Sequence, residues 1–326
     1  MHSRRQIAAL LLAGLPVSAV RAAPALLETG WQKDGLSGSL LAPRRARRAL
    51  GVLMVAGSGP TDRDGNGPGL ATDLYRSIAT GLATAGHVVL CHDKRGVGAS
   101  RALAGREADI TFALLEADAR AALRALATRP DVRGVVPLGH SEGAMIAARL
   151  ARTERVAGLV LMAPPGRPLG TVLLDQLAAS GLPPALLEES RHILAMLARG
   201  DMVAGVSPAL APLFRPSVQP YLVSVLGVDP AGDLAAVPVP TLIIAAGRDL
   251  QAGASDIAAL TIARPAARLV RSRLRTTCPS PCPRVGRATP PPMPIRLCRS
   301  TPACCRRWTG SWPACPSGRL APRVAH

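Results

Sequence analysis

Residues 271–326 contain eleven Arg and no Asp or Glu, and the only His after Asp249 is His326, the last residue of the chain. Both gaps exclude something. A formal net charge of +18 suggests a nucleic-acid binder at first sight, but by subtraction the chain outside that tail carries only +7, so no nucleic-acid partner is expected. No Gly-Lys-Ser/Thr follows the Gly- and Asp-rich segment 57–66, which is therefore not a phosphate loop. Beyond the first residues no apolar run approaches the ~20 residues that span a bilayer. No His lies near the tail cysteines: Cys278 and Cys282 have a ligand-like spacing, but Cys304 and Cys305 are adjacent, and neither a metal nor a cofactor is expected.

The chain's 326 residues suffice for one large α/β domain with an insertion. At its start, Arg4 and Arg5 precede the apolar stretch from Ile7 to Val20, with Val20 and Ala22 suited to flank a cleavage site. Residues 1–22 are thus expected to be a secretory signal peptide, giving a periplasmic or secreted protein without stable membrane insertion after cleavage. The competing reading, a short membrane anchor, is opposed by Gly14 and Pro16 within a short apolar core.

The tail 271–326 also carries six of the seven Cys and eleven of the 31 Pro. Three readings compete: a disordered basic arm, a disulfide framework, and a shifted reading frame. Cys and Trp codons begin with TG, and reading two bases later makes each the end of a Leu, Val or Met codon. Permitted codons for Arg287 to Ala314 can then spell a loop followed by an Ala- and Leu-rich helix, and the frameshift is the preferred reading. Loss of that helix would expose apolar surface on one face of the sheet.

Between the two ends, Leu26 to Leu41 suggests an edge hairpin. Strand-length apolar runs follow at 51–56, 87–93, 135–139, 157–163 and 240–247, separated by helical patterns at 70–85, 110–128 and 144–153. Continuous apolar strands alternating with helices indicate a mostly parallel sheet covered on both faces. Residues 164–236 interrupt the alternation with three helical patterns, at 169–180, 184–199 and 208–226. That insertion is expected to cap the carboxyl ends of the strands, where ligands bind in open α/β sheets. A bundle at the side of the sheet is the alternative. The predicted division is a core of 23–163 and 237–270, a cap of 164–236 and the aberrant tail.

Gly139-His140-Ser141-Glu142-Gly143 follows a strand and opens a helix, the context of a nucleophile elbow. Its glycines suit a strained tight turn in which larger neighbours would collide with the adjoining helix and strand. The loop GSGPTDRDGN at 57–66 follows an early strand and can turn backbone N–H groups toward the serine. Ser58, with Gly59 as the near alternative, and the Glu142 N–H are the expected oxyanion donors. Asp249, after the strand TLIIAAG, is the candidate acid that would orient an imidazole. Capping of the next helix is its plainer role.

Ser141 in GHSEG, the turn DKRGVGAS at 93–100, the loop AGSGPTDRDGN and the stretch GRDLQ together resemble the α/β-hydrolase superfamily, in particular exported bacterial esterases and serine aminopeptidase-like hydrolases. The resemblance covers about residues 26–270. It implies the α/β-hydrolase fold with a helical cap, a Ser-Asp-His triad, an acyl-enzyme, no metal, and a small ester, thioester or amide substrate. Relatives of this kind carry the His after the last strand, in a segment like Pro-Gly-x-Asn-His-Val.

That His is missing. His2 would leave with the signal peptide, His87 and His92 flank a strand, His140 is the variable elbow position, and His192 falls on a cap helix. In the shifted frame, codons for Leu274 to Cys278 can read x-Asn-His-Val. The expectation is an esterase impaired as written, with a peptidase or a non-catalytic binding protein as the alternatives.

Overall fold

The computed structural model describes residues 25–46, 48–246 and 253–272. The predicted signal peptide, Asp249 and all of the predicted tail beyond Ser272 lie outside the described residues, whereas Arg271 and Ser272 end the last strand. Two N-terminal strands, β1 (Leu26–Lys33) and β2 (Leu36–Pro43), form the expected edge hairpin. Then β3 (Ala49–Val55), β4 (Val88–His92), β5 (Val132–His140), β6 (Leu159–Met162), β7 (Thr241–Ala246) and β8 (Arg268–Ser272) run parallel to one another. The spatial order is β1-β2-β4-β3-β5-β6-β7-β8, with β2 joining β4 antiparallel.

Side chains of successive strand residues point to opposite faces. Val52, Met54, Val89, Cys91 and Leu138 meet helix α1 (Leu74–Thr84) on one face. Leu53, Val55, Val88 and Leu90 meet α2 (Phe112–Ala127) and α3 (Glu142–Thr153) on the other. Burial on both faces explains why β3 and β4 read as continuous apolar runs.

The insertion between β6 and β7 contains α4 (Leu169–Ala179), α5 (Pro184–Ala198), α6 (Ala211–Phe214), α7 (Gln219–Leu226) and α8 (Pro230–Ala235). The single helix predicted over 208–226 is instead broken, because Pro212, Pro216 and Pro220 each lack the N–H that would continue it. The insertion has its own apolar cluster around Ile193, Leu197, Phe214 and Leu222. It is tied to α9 (Ala254–Ala263) by Asp256, which is fully buried and accepts from the Gly166 N–H (3.0 Å), the Arg167 N–H (3.2 Å) and the Arg167 guanidinium (3.0 Å). Both α8 and α9 are short and were not separated as helices by their patterns. Ile262 on α9 and Val270 on β8 are among the exposed large hydrophobics. No described helix is long and apolar enough to cross a membrane.

His92 closes β4 on the face toward α2, and its Nδ1 meets no hydrogen-bond partner among the described residues. Burial lowers its pKa to about 4; Asp118 and Asp93 oppose that shift, while Lys94 and Arg63 reinforce it. The unfolded imidazole takes its proton near 6.5, so between pH 6.5 and 4 the unfolded state binds the extra proton and stability falls as pH falls. Above 6.5 the group contributes nothing. We predict a loss reaching about 3 kcal/mol by pH 4 from this group, read as the difference in urea-unfolding pH profiles between the wild type and His92→Leu. Parallel profiles would contradict the burial argument.

Candidate active site

The junction of β5 and α3 is built on close backbone approach. Ser141 has φ 52° and ψ −120°, a conformation that costs a non-glycine residue about 1–3 kcal/mol. Its N–H donates to the Met162 carbonyl on β6 (2.9 Å), and its own carbonyl accepts from Ala144 (2.9 Å). A Cβ at Gly139 would lie 2.1 Å from the Gly143 carbonyl oxygen, and one at Gly143 would lie 2.3 Å from that of Val55. The two glycines therefore let strand, turn and helix meet. Glu142 opens α3, so its N–H has no intrahelical acceptor.

The loop after β3 lies against this turn. A Cβ at Gly57 would come within 3.3 Å of the Ser141 β-carbon. The Gly57 N–H donates to the Tyr75 hydroxyl (2.9 Å), which also pairs with His140 Nδ1 (2.9 Å). Burial pushes the Tyr75 phenol up to about 12, so the hydroxyl stays protonated at neutral pH. On the other side of the loop, Lys94 Nζ donates to the carbonyls of Gly57 and Gly59, the latter at 2.6 Å. Lys94 is buried, and burial lowers its pKa while Glu142 pulls it back up.

Lys94 belongs to the turn at 93–100, whose other members have separate tasks. The Asp93 carboxylate accepts from the Arg63 N–H (2.8 Å), the Arg63 guanidinium (2.5 Å) and the Ala99 N–H (2.8 Å). Burial raises its pKa, but these donors outweigh burial and leave it below the usual carboxylate range. Gly98 is needed because a Cβ there would sit 2.5 Å from an Asp93 oxygen. Arg95 pairs with Asp118 on α2 (2.7 Å), and Ser100 joins the Asp93 carbonyl to the Ser37 N–H.

Ser58, Ser141, Glu142 and Met145 face a cavity of about 160 Å³ whose opposite wall comes from the insertion: Val172 and Leu173 on α4, Leu213 on α6, and Tyr221, Leu222 and Val225 on α7. The Tyr221 hydroxyl donates to the Glu142 carboxylate. Burial and that carboxylate both raise the Tyr221 pKa. Of the residues expected from sequence, Ser58, Ser141 and Glu142 share this cavity. Gly59 is not among its lining residues, and Asp249 falls between β7 and α9, outside the described residues. No described histidine lines it: His192 is exposed on α5 and His92 is buried toward α2. Tyr75, Lys94 and Tyr221 were missed; only Lys94 had a signal, its place inside DKRGVGAS. Among the described residues, no group of three or more His, Cys, Asp or Glu could hold a metal.

Residues 66–196 match the family described as Serine aminopeptidase, S33. Esterase EstD of Thermotoga maritima is 33% identical over 231 residues, which cover 68% of this chain and 52% of the relative. The chain thus spans about half the length of that curated relative. Among solved structures, alpha/beta hydrolase GrgF from Penicillium sp. sh18 is similar with a TM-score of 0.52 at 19% identity, over 78% of this chain and 90% of that one. Est1E from Butyrivibrio proteoclasticus, solved with ferulic acid, gives a TM-score of 0.51 at 14% identity, over 76% and 89%. Those structural likenesses show that the chain has the α/β-hydrolase fold, and its sequence is similar to the S33 serine aminopeptidase family over residues 66–196 and to an esterase over 231 residues.

Proposed function

We propose that this chain is a serine hydrolase of carboxylesterase type, exported by residues 1–22, that cleaves small esters through an acyl-enzyme. The observation that carries the reading is the strained backbone of Ser141 in the lining of a mostly apolar cavity, beside Ser58 and the first residue of α3. In this mechanism the Ser141 Oγ attacks the ester carbonyl carbon. The carbonyl oxygen becomes an oxyanion facing the N–H groups of Ser58 and Glu142. Collapse expels the alcohol and leaves the acyl group on Ser141, and water then releases the acid. An imidazole takes the serine proton and passes it to the leaving alcohol, with Asp249 orienting the ring. We assign that imidazole to the Asn-His-Val of the shifted frame near Leu274, so the chain as written retains the nucleophile without its base.

Apolar walls favour an ester with an apolar acyl group over a peptide carrying a free ammonium. Glu142, the carboxylate in the cavity lining, already accepts the Tyr221 hydroxyl. Desolvating an ammonium there costs several kcal/mol.

Two outcomes are expected. A fluorophosphonate should label the chain as written slowly and at Ser141, Ser141→Ala should abolish labelling, and restoring the frame from residue 271 should raise the labelling rate at least about 1,000-fold. Mass spectrometry of the labelled peptide checks this; no labelling of either chain would leave the binding-protein reading. For the frame-restored chain, kcat/KM for p-nitrophenyl butyrate should exceed that for alanyl-p-nitroanilide by about 100-fold or more. The reverse preference would make the protein a peptidase.

A further inference from the structure

Lys94 is the buried charge in the turn 93–100 with no opposite charge bound to it. Asp93 is paired with Arg63 and Arg95 with Asp118. Among the described residues, Lys94 has no carboxylate within ion-pair distance, and its hydrogen bonds go to two carbonyl oxygens. A buried ammonium met only by carbonyl dipoles is expensive compared with an apolar side chain of similar volume.

The two carbonyls are those of Gly57 and Gly59, on either side of Ser58. No cis peptide occurs among the described residues. In a trans peptide the carbonyl oxygen and the following N–H point in opposite directions. With the Gly57 carbonyl drawn to Lys94, the Ser58 N–H must point away from Lys94. Ser58 lines the cavity with Ser141, and no described residue accepts its N–H. The Gly59 carbonyl also accepts from Thr61 (2.9 Å), which fixes the far end of the loop. The peptide after it has no donor, because the next residue is Pro60. Of the two peptides whose carbonyls Lys94 binds, only the 57–58 unit can therefore present an N–H to the cavity.

We propose that Lys94 is a positioning residue for the oxyanion site: its ammonium anchors the Gly57 and Gly59 carbonyls and so aims and polarises the Ser58 N–H toward the oxygen of a tetrahedral adduct on Ser141. This rests on the hydrolase reading above. The positive charge lies one peptide group behind the donor, so the field of the ammonium and the dipole of the peptide add along one line. Tyr75 holds the preceding peptide, the 56–57 unit, through the Gly57 N–H. The Glu142 donor belongs to α3 and does not depend on Lys94.

That independence supplies an internal control. Uniformly nitrogen-labelled full chain with the frame restored from residue 271, which is the wild type of this comparison, is titrated with butylboronic acid, which forms a tetrahedral adduct with a serine, and the Ser58 and Glu142 amides are followed by heteronuclear NMR. In the wild type both amide protons should move downfield together. In Lys94→Met the Glu142 shift should persist, the Ser58 shift should be lost, and the Kd for the boronate should rise roughly 100-fold. If Lys94→Met does not fold, Lys94→Gln, which keeps an N–H donor on a shorter stem, is compared in its place, with partial loss of the Ser58 shift expected. A full-sized Ser58 shift in a folded variant overturns the role of Lys94 while leaving the hydrolase reading intact. Should neither amide move in the wild type, the hydrolase reading falls and this assignment falls with it.

Discussion

Backbone crowding at the end of β5 is the constraint on which the site depends. Gly139, Ser141 and Gly143 occupy a turn in which a β-carbon at either glycine would lie within 2.3 Å of a carbonyl oxygen. Such an approach lets α3 start directly over the sheet and turns the serine outward at positive φ. The strain is carried by what surrounds it. The Met162 carbonyl on β6 takes the serine N–H, and the alanines along α3 allow the helix to lie close against Leu159 and Leu161. A stiff sheet buried on both faces is what makes a strained turn tenable.

Around that turn, the loop 57–59 is gripped from two directions by residues distant in the chain. Tyr75 reaches it from α1 and Lys94 from the end of β4. The loop has little internal structure of its own, since Gly59 takes positive φ and Pro60 offers no donor. Its geometry is therefore imposed from outside, by a phenol that burial keeps protonated and by an ammonium whose ligands are the loop's own carbonyls. The insertion completes the site on the opposite side, where α4 and α7 bring apolar side chains over Ser141 and Tyr221 meets Glu142. An Asp256 knot connects the entry of the insertion to α9, just after the segment that carries Asp249.

Much of this was legible before any coordinates. The apolar runs of β3, β4, β5 and β7 announced themselves because buried parallel strands need apolar residues on both faces. The elbow was visible because its glycines are a steric requirement that leaves a fixed spacing in sequence. Elements of low contrast were harder. Helices α8 and α9 are short and carry few turns of periodicity, and the stretch from 208 to 226 looked like one helix until its prolines divided it. At the site, Ser58, Ser141 and Glu142 came from local pattern and do share one cavity.

Sequence alone determined the fold class, the place of the nucleophile candidate, the loop beside it and the absence of an imidazole in the region where the resemblance requires one. These are properties of spacing along the chain, set by strand period, by the glycines of a tight turn and by which residue types are present. Only the tertiary structure decided which distant side chains shape the site: that Lys94 turns inward to the 57–59 carbonyls while its neighbours Asp93 and Arg95 find ionic partners, and that Tyr75 and Tyr221 bind the loop and the elbow. The reason is physical. A hydrogen bond between residues that lie tens of positions apart leaves no periodic trace in the sequence, and its existence depends on the register of the sheet and the packing of helices, which are settled by the whole core together.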